Sequence, residues 1–236
     1  MERWRASQLE KNSLSAQIKQ NTIIQNPAKL FFLVGPSGVG KDSLLDYLKQ
    51  YQVADQHPLV AHRYITRPVR EGDENHVALS ACDFSQRKSA GLFLFDWYSH
   101  DYSYGIGQEV KQWLSAGQNV IINGSRQYLA TALEVYPDLI PVWISVSKNV
   151  LRERLVQRGR ETGQQIEDRL QRNQAMEKLK PDNCYTIKND RFIVDAVNQL
   201  LSIINQNQQE GERNVEREID RETEEEKNRE KTQEND

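Results

Sequence analysis

Leu30-Phe31-Phe32-Leu33-Val34-Gly35-Pro36-Ser37-Gly38-Val39-Gly40-Lys41-Asp42-Ser43 is the stretch on which the fold turns. Its first half is a continuous apolar run stopped by Gly-Pro, the pattern of a parallel strand buried on both faces. A glycine-rich turn follows, and residues 42–50 then read as a helix. Glycines at this spacing let backbone N–H groups close around phosphate oxygens, the helix N-terminus adds a favourable field, and Lys41 reaches the β- and γ-phosphates. Strand, loop and helix in this order predict a nucleotide cradle built from Gly35, Pro36, Ser37, Gly38, Val39, Gly40, Lys41 and Ser43. Asp42 stands where such loops carry the Ser or Thr that ligates Mg²⁺. A carboxylate is also a hard oxygen donor, so Asp42 is a candidate metal ligand; the alternative is that it only favours the first turn of the helix through the dipole.

Outward from this loop the chain alternates. Residues 120–122, 139–146 and 184–187 are further strand candidates, and helical patterns occupy 107–116, 126–135, 148–158, 164–178 and 191–205. That alternation predicts an α/β fold with a mostly parallel five-stranded sheet and right-handed crossovers. Residues 57–107 break the pattern with short strand-like pieces at 59–64 and 92–95, aromatic clusters and Gly/Asp turns, and read as an inserted acceptor-binding subdomain.

The ends differ from the middle. Residues 1–28 carry Trp4, Leu9, Leu14 and Ile18 at loose helical spacing and read as a polar extension, a short helix or a disordered arm. Over 210–236 there are 12 acidic and 6 basic side chains, with Val215 and Ile219 the only aliphatics. Residues 206–236 therefore read as a charged, disordered tail, although charges at i, i+4 also suit a solvated single helix. The whole chain of 236 residues has a net charge of −3, while residues 1–209 alone carry +3. Such a mild surplus excludes a polyelectrolyte nucleic-acid binder and suits a site for small phosphorylated compounds. Cys82 and Cys184 have neither metal-ligand spacing nor the number for a disulfide framework, and no apolar run approaches a membrane span. A cytoplasmic protein is expected.

Several motifs beyond the loop carry a resemblance. Thr66-Arg67-Pro68-Val69-Arg70-Glu71-Gly72, Tyr104-Gly105, the run Leu151-Arg152-Glu153-Arg154-Leu155-Val156-Gln157-Arg158-Gly159 and Asn189-Asp190 resemble, in order, the acceptor-phosphate segment, the phosphate-contacting Tyr-Gly, the lid and the adenine-side Asn-Asp of P-loop kinases of the guanylate kinase type. The resemblance spans residues 29–205 and implies a P-loop NTPase fold with a helical lid over 154–169. It also implies that Arg154, Arg158 and Arg169 act with Lys41 on the transferred phosphoryl group, that Asn189 lies beside the nucleotide, and that Arg67, Arg70 and Tyr104 hold an acceptor phosphate. Phosphoryl transfer needs positioning and charge neutralisation, so arginines there suit the chemistry.

Four positions depart from guanylate kinase. Where that enzyme reads its base with Ser, Glu, Ser and Asp, this chain has Arg63, Phe95, Ile106 and Ser125. Losing several hydrogen-bonding partners of a base at once removes orders of magnitude of selectivity. The strings His62-Arg63-Tyr64-Ile65-Thr66-Arg67, Glu74-Asn75-His76-Val77-Ala78-Leu79-Ser80, Tyr104-Gly105-Ile106-Gly107 and Asn123-Gly124-Ser125-Arg126, with Gly-Lys-Asp-Ser in the phosphate loop, resemble instead the ribose 1,5-bisphosphate phosphokinases of bacterial phosphonate catabolism. That resemblance implies ATP as donor, Mg²⁺ as cofactor, a phosphosugar acceptor, and 5-phospho-α-D-ribose 1-diphosphate as product. It adds Arg63, His76, Ser125 and Arg126 to the substrate-binding residues, Arg63 and Arg126 being the cations for a second, 5-phosphate group. The rival readings are guanylate kinase and a non-catalytic module binding phosphorylated partners. No nucleic-acid or membrane partner is expected, and a homodimer is left open.

Overall fold

The computed structural model describes residues 28–50, 57–68 and 76–233. The N-terminal extension lies outside these residues. Five parallel strands form the central sheet in the order β2-β7-β1-β8-β9, with β1 Leu30–Val34, β2 Leu59–Val60, β7 Val120–Asn123, β8 Ile140–Ser145 and β9 Tyr185–Lys188. β1 lies at its centre, and every residue in it is buried. Leu30, Phe32 and Val34 pack into one core cluster, Phe31 and Leu33 into the other. A strand covered on both faces has no polar side to display, which is why its sequence is unbroken by polar residues.

On one face, helix α1 (Lys41–Gln50) and the start of α7 (Ile193–Gln233) cover the sheet through Leu44, Leu45, Leu48, Val197, Leu200 and Ile204. Against the other pack α3 (Glu109–Ser115), α4 (Leu129–Val135) and a second sheet in the order β4-β3-β6-β5. This sheet consists of β3 Arg63–Ile65, β4 His76–Ala78, β5 Phe93–Ser99 and β6 Tyr102–Gly107, and α2 (Ala81–Ser89) is threaded into it between β4 and β5. It occupies the stretch read from the sequence as an insertion, and one strand differs from that reading. Residues 59–64 do not form one strand: Leu59 and Val60 pair with β7 in the central sheet, and Arg63 opens the second sheet. α2 and β6 were not anticipated, because neither has a long apolar period.

The segment read as a lid is built as a helix pair, α5 (Lys148–Arg158) and α6 (Gly163–Glu177). Gly159 closes α5 in the left-handed conformation at φ +63°, and Thr162 opens α6 with a capping box to Gln165. Leu151, Leu155, Ile166 and Leu170 form a small core between the two helices. Each such side chain taken out of water contributes about 1.5–3 kcal/mol to holding the pair together.

The tail is helical where disorder was expected. α7 continues through the charged segment to Gln233, well past Ile204, whose side chain is buried. Strong helix formers with charges at i, i+4 and no proline favour that continuation. No helix among the described residues is long and apolar enough to cross a membrane.

Candidate active site

Between β1 and α1 the chain turns tightly, with Gly38 at φ +91° and Gly40 at φ +94°. Side chains disfavour this region, and a Cβ on Gly40 would stand 2.7 Å from Nδ2 of Asn189. Lys41 folds under the loop and donates from Nζ to the carbonyls of Gly35 (2.9 Å) and Pro36 (3.3 Å). Burial pushes its pKa down to about 8, Arg63, Arg126 and Arg158 push the same way, and Asp42 opposes them. A phosphate anion placed there would raise it again.

The carbonyl of Val39 is gripped from two sides. Asn189 donates to it at 2.7 Å from beyond the end of β9, and Arg154 Nη1 at 3.2 Å from α5. Loop, strand end and lid thus meet at one atom. They enclose a cleft lined by Gly38, Gly40, Ser43, Arg154, Arg158 and Asn189, with Arg191 and Ile193 completing the wall. Neither of the last two was anticipated. The signal was the Asn189-Asp190 pair just before them, whose Asp190 carboxylate accepts from the backbone N–H of Ser147 at 2.6 Å. Arg169 takes a different course, pairing with Glu161, and does not line the cleft.

Asp42 does not line this cleft and faces Arg63 and the end of β7. Its Oδ1 accepts from Asn123 Nδ2 at 2.6 Å and lies 3.9 Å from Arg63 Nη2. About half of the side chain stays exposed, which leaves the carboxylate within reach of an ion. Among the described residues no group of three His, Cys, Asp or Glu side chains forms a cage. Mg²⁺ needs none, since it is held through one or two carboxylates, water and substrate phosphates. The donor chemistry of Asp42 therefore fits the ion.

Arg63 is nearly buried, its side chain 12% exposed. Its guanidinium lies 5.6 Å from the centroid of the Tyr104 ring, Tyr104 stacks on Trp97 at 5.5 Å, and Trp97 on Tyr128 at 5.4 Å. Burial lowers the Arg63 pKa, with Asp42 and then Tyr104 acting against it. β3 and β6 bring these residues together by pairing Ile65 with Tyr104. His76 is buried, and its Nε2 faces the carbonyl of Arg67 at 3.4 Å, so it braces the chain leaving β3. Arg70 lies outside the described residues. Ser125 accepts through its carbonyl from the N–H of Tyr128 and starts the turn into α4. Arg126 reaches toward the lid, donating from Nη2 to Asn173 Oδ1 at 2.8 Å and lying 6.0 Å from the ring centroid of Trp143. Phe95 packs edge-on against Phe32, and Phe95 and Ile106 are both buried. Neither offers a hydrogen bond to a base.

A model of the guanylate kinase family matches residues 27–207. A ribose 1,5-bisphosphate phosphokinase of Psychromonas ingrahamii is 49% identical over 187 residues, 78% of this chain and 95% of that protein. This chain belongs to the ribose 1,5-bisphosphate phosphokinase family. A second member, from Klebsiella pneumoniae, is 47% identical over 77% of this chain and 95% of its own. The family shares the fold of guanylate kinase. The crystal structure of guanylate kinase from Anaplasma phagocytophilum superposes with a TM-score of 0.59 at 16% identity, covering 78% of this chain and 88% of that one.

Proposed function

We infer that the protein transfers the γ-phosphoryl group of ATP to ribose 1,5-bisphosphate, making 5-phospho-α-D-ribose 1-diphosphate. The observation that carries the choice of acceptor is the nearly buried Arg63 between Asp42 and Tyr104, a cation that suits a second phosphate on the acceptor.

In this reading the phosphate loop holds the β- and γ-phosphates by backbone N–H groups, and Lys41 follows the charge of the group in flight. Arg67, Arg70 and Tyr104 hold the 1-phosphate of the acceptor in line. An oxygen of that phosphate attacks the γ-phosphorus, the bond to the β–γ bridging oxygen breaks, and ADP leaves. Arg154 and Arg158 offset the charge from the lid side, and Arg169 joins them only by leaving Glu161. Asp42 would hold Mg²⁺, which when bound would supply neutralisation of phosphate charge. Arg63 and Arg126 take the 5-phosphate. A nucleotide donor and a phosphosugar acceptor are metabolites of the cell interior, which supports a cytoplasmic location.

The test is phosphorus NMR of the purified protein with ATP, Mg²⁺ and either acceptor. A diphosphate forming on ribose 1,5-bisphosphate much faster than GDP forms from GMP is expected; efficient GDP formation alone would overturn the reading.

A further inference from the structure

Arg126 and Asn173 meet across the seam between the turn after β7 and the lid helix α6. The bond from Arg126 Nη2 uses the amide oxygen of Asn173. Two donors are then left over: Nη1 of Arg126 and Nδ2 of Asn173 are buried with no hydrogen-bond partner in the structure. Asn173 is only 8% exposed. Buried polar groups are paired as a rule, and an unpaired one calls for a reason. Here both orphans are N–H donors, and one belongs to a cation.

The surroundings sharpen this. Trp143 lies against the guanidinium, and its indole N–H is spent on Glu177 Oε1 at 2.9 Å. Burial lowers the Arg126 pKa, and Glu177 is the acidic group that opposes it. The guanidinium stays cationic, as arginine does in proteins. A ligand that satisfies the site must bring acceptor oxygens and negative charge, and must bring no hydrogens that need acceptors of their own. A phosphate monoester does all three, and its charge-assisted bonds are the strong kind.

We propose that Asn173 and Arg126 together form the seat of the acceptor's 5-phosphate, so that the lid helix itself reads the acceptor. This rests on the phosphosugar reading above and extends it to a residue on α6. The lid then touches both substrates: Arg154 and Arg158 line the nucleotide cleft from α5, while Asn173 faces the sugar phosphate from α6. Binding of the 5-phosphate would hold the lid against the end of β7, where Asn123 also contacts the residue next to Lys41.

Asn173→Asp is the discriminating variant. It keeps an oxygen to accept from Arg126 but replaces the orphan donor with an anion. Initial rates are measured with ribose 1,5-bisphosphate and with ribose 1-phosphate, which lacks the 5-phosphate. Preference for the bisphosphate, as the ratio of kcat/KM values, is expected to fall about tenfold or more, mainly through KM. Asn173→Ala, which removes the donor without adding charge, is expected to act in the same direction by less. Calorimetric titration with ribose 5-phosphate reads the seat without any transfer, and the Asp variant is expected to weaken it about tenfold. Equal losses on both acceptors, or ribose 5-phosphate binding with wild-type affinity, would overturn the proposal. If wild-type protein makes no diphosphate from ribose 1,5-bisphosphate while Asn173→Asp still weakens ribose 5-phosphate, the seat stands and the functional reading falls.

Discussion

The side-chain amide of Asn123 donates to the carboxylate of Asp42 across 2.6 Å, tying the end of β7 to the first turn of α1. In P-loop NTPases these two places hold a hydroxyl on the loop and a carboxylate on the strand, and together they hold Mg²⁺. Here the carboxylate sits on the loop and the strand contributes an amide. Asp42→Ser is therefore expected to raise the Mg²⁺ concentration for half-maximal rate by about tenfold, and adding Asn123→Asp to recover part of the loss. Titrating Mg²⁺ at fixed ATP checks this; an unmoved Mg²⁺ dependence with a raised acceptor KM would tie Asp42 to Arg63 instead.

Lys41 titrates near pH 8 in the free protein because burial disfavours its charge. It is charged below that value and loses its proton as the pH rises through it. The kcat/KM for ATP is expected to decline above about pH 8, since that parameter reports the free enzyme. A bound triphosphate raises the pKa again, so nucleotide binding near pH 8 takes up a proton. Calorimetry in buffers of different ionisation enthalpy reads that uptake, which should vanish in Lys41→Ala together with transfer.

Gly40 has no room for a side chain. Gly40→Ala places a Cβ 2.7 Å from the Asn189 amide at a positive φ, so the bond from Asn189 to the Val39 carbonyl must give way. A rise of about tenfold or more in the KM for ATP is expected, from backbone strain of about 1–3 kcal/mol. The acceptor KM should move far less. Steady-state kinetics varying each substrate separates the two.

Arg63→Ala removes a buried cation that faces a carboxylate and a ring. A charge-assisted pair contributes about 1.5–3 kcal/mol, so kcat/KM for ribose 1,5-bisphosphate should drop by about one to two orders of magnitude. Substituting Arg67 instead should depress kcat, because alignment of the attacking phosphate is lost. The split between KM and kcat in the two variants is the measurement.

The far part of α7 packs against little. The described side chains after Gly211 are exposed, apart from a half-buried Val215, so deleting residues 212–236 should leave the melting temperature and kcat/KM within error. A fall of several degrees in a thermal melt would show that this segment docks on the core.

Much of the molecule was legible in the chain itself, for physical reasons that can be stated. β1 announces itself because a strand covered on both faces must be apolar throughout, and the loop after it because only glycine tolerates Gly38 and Gly40 at positive φ. Arg154, Arg158 and Asn189 could be named from their motifs, and the fold places them around the cleft at the phosphate loop. Other relationships exist only in three dimensions. That Leu59 and Val60 join the central sheet while Arg63 opens the second follows from which edges the folded chain leaves available, and a two-residue strand has no period to read. The charged tail composed as if for disorder is a helix, since local propensity and spaced charges suffice where no core is required. The turn of Arg169 toward Glu161, and of Arg126 toward Asn173, cannot be read from sequence spacing. Residues 126 and 173 lie on different elements, and their meeting is set by how the lid pair packs onto the sheet. A linear pattern records which face of a helix is apolar; it does not record which polar atom on the other face finds, or lacks, a partner.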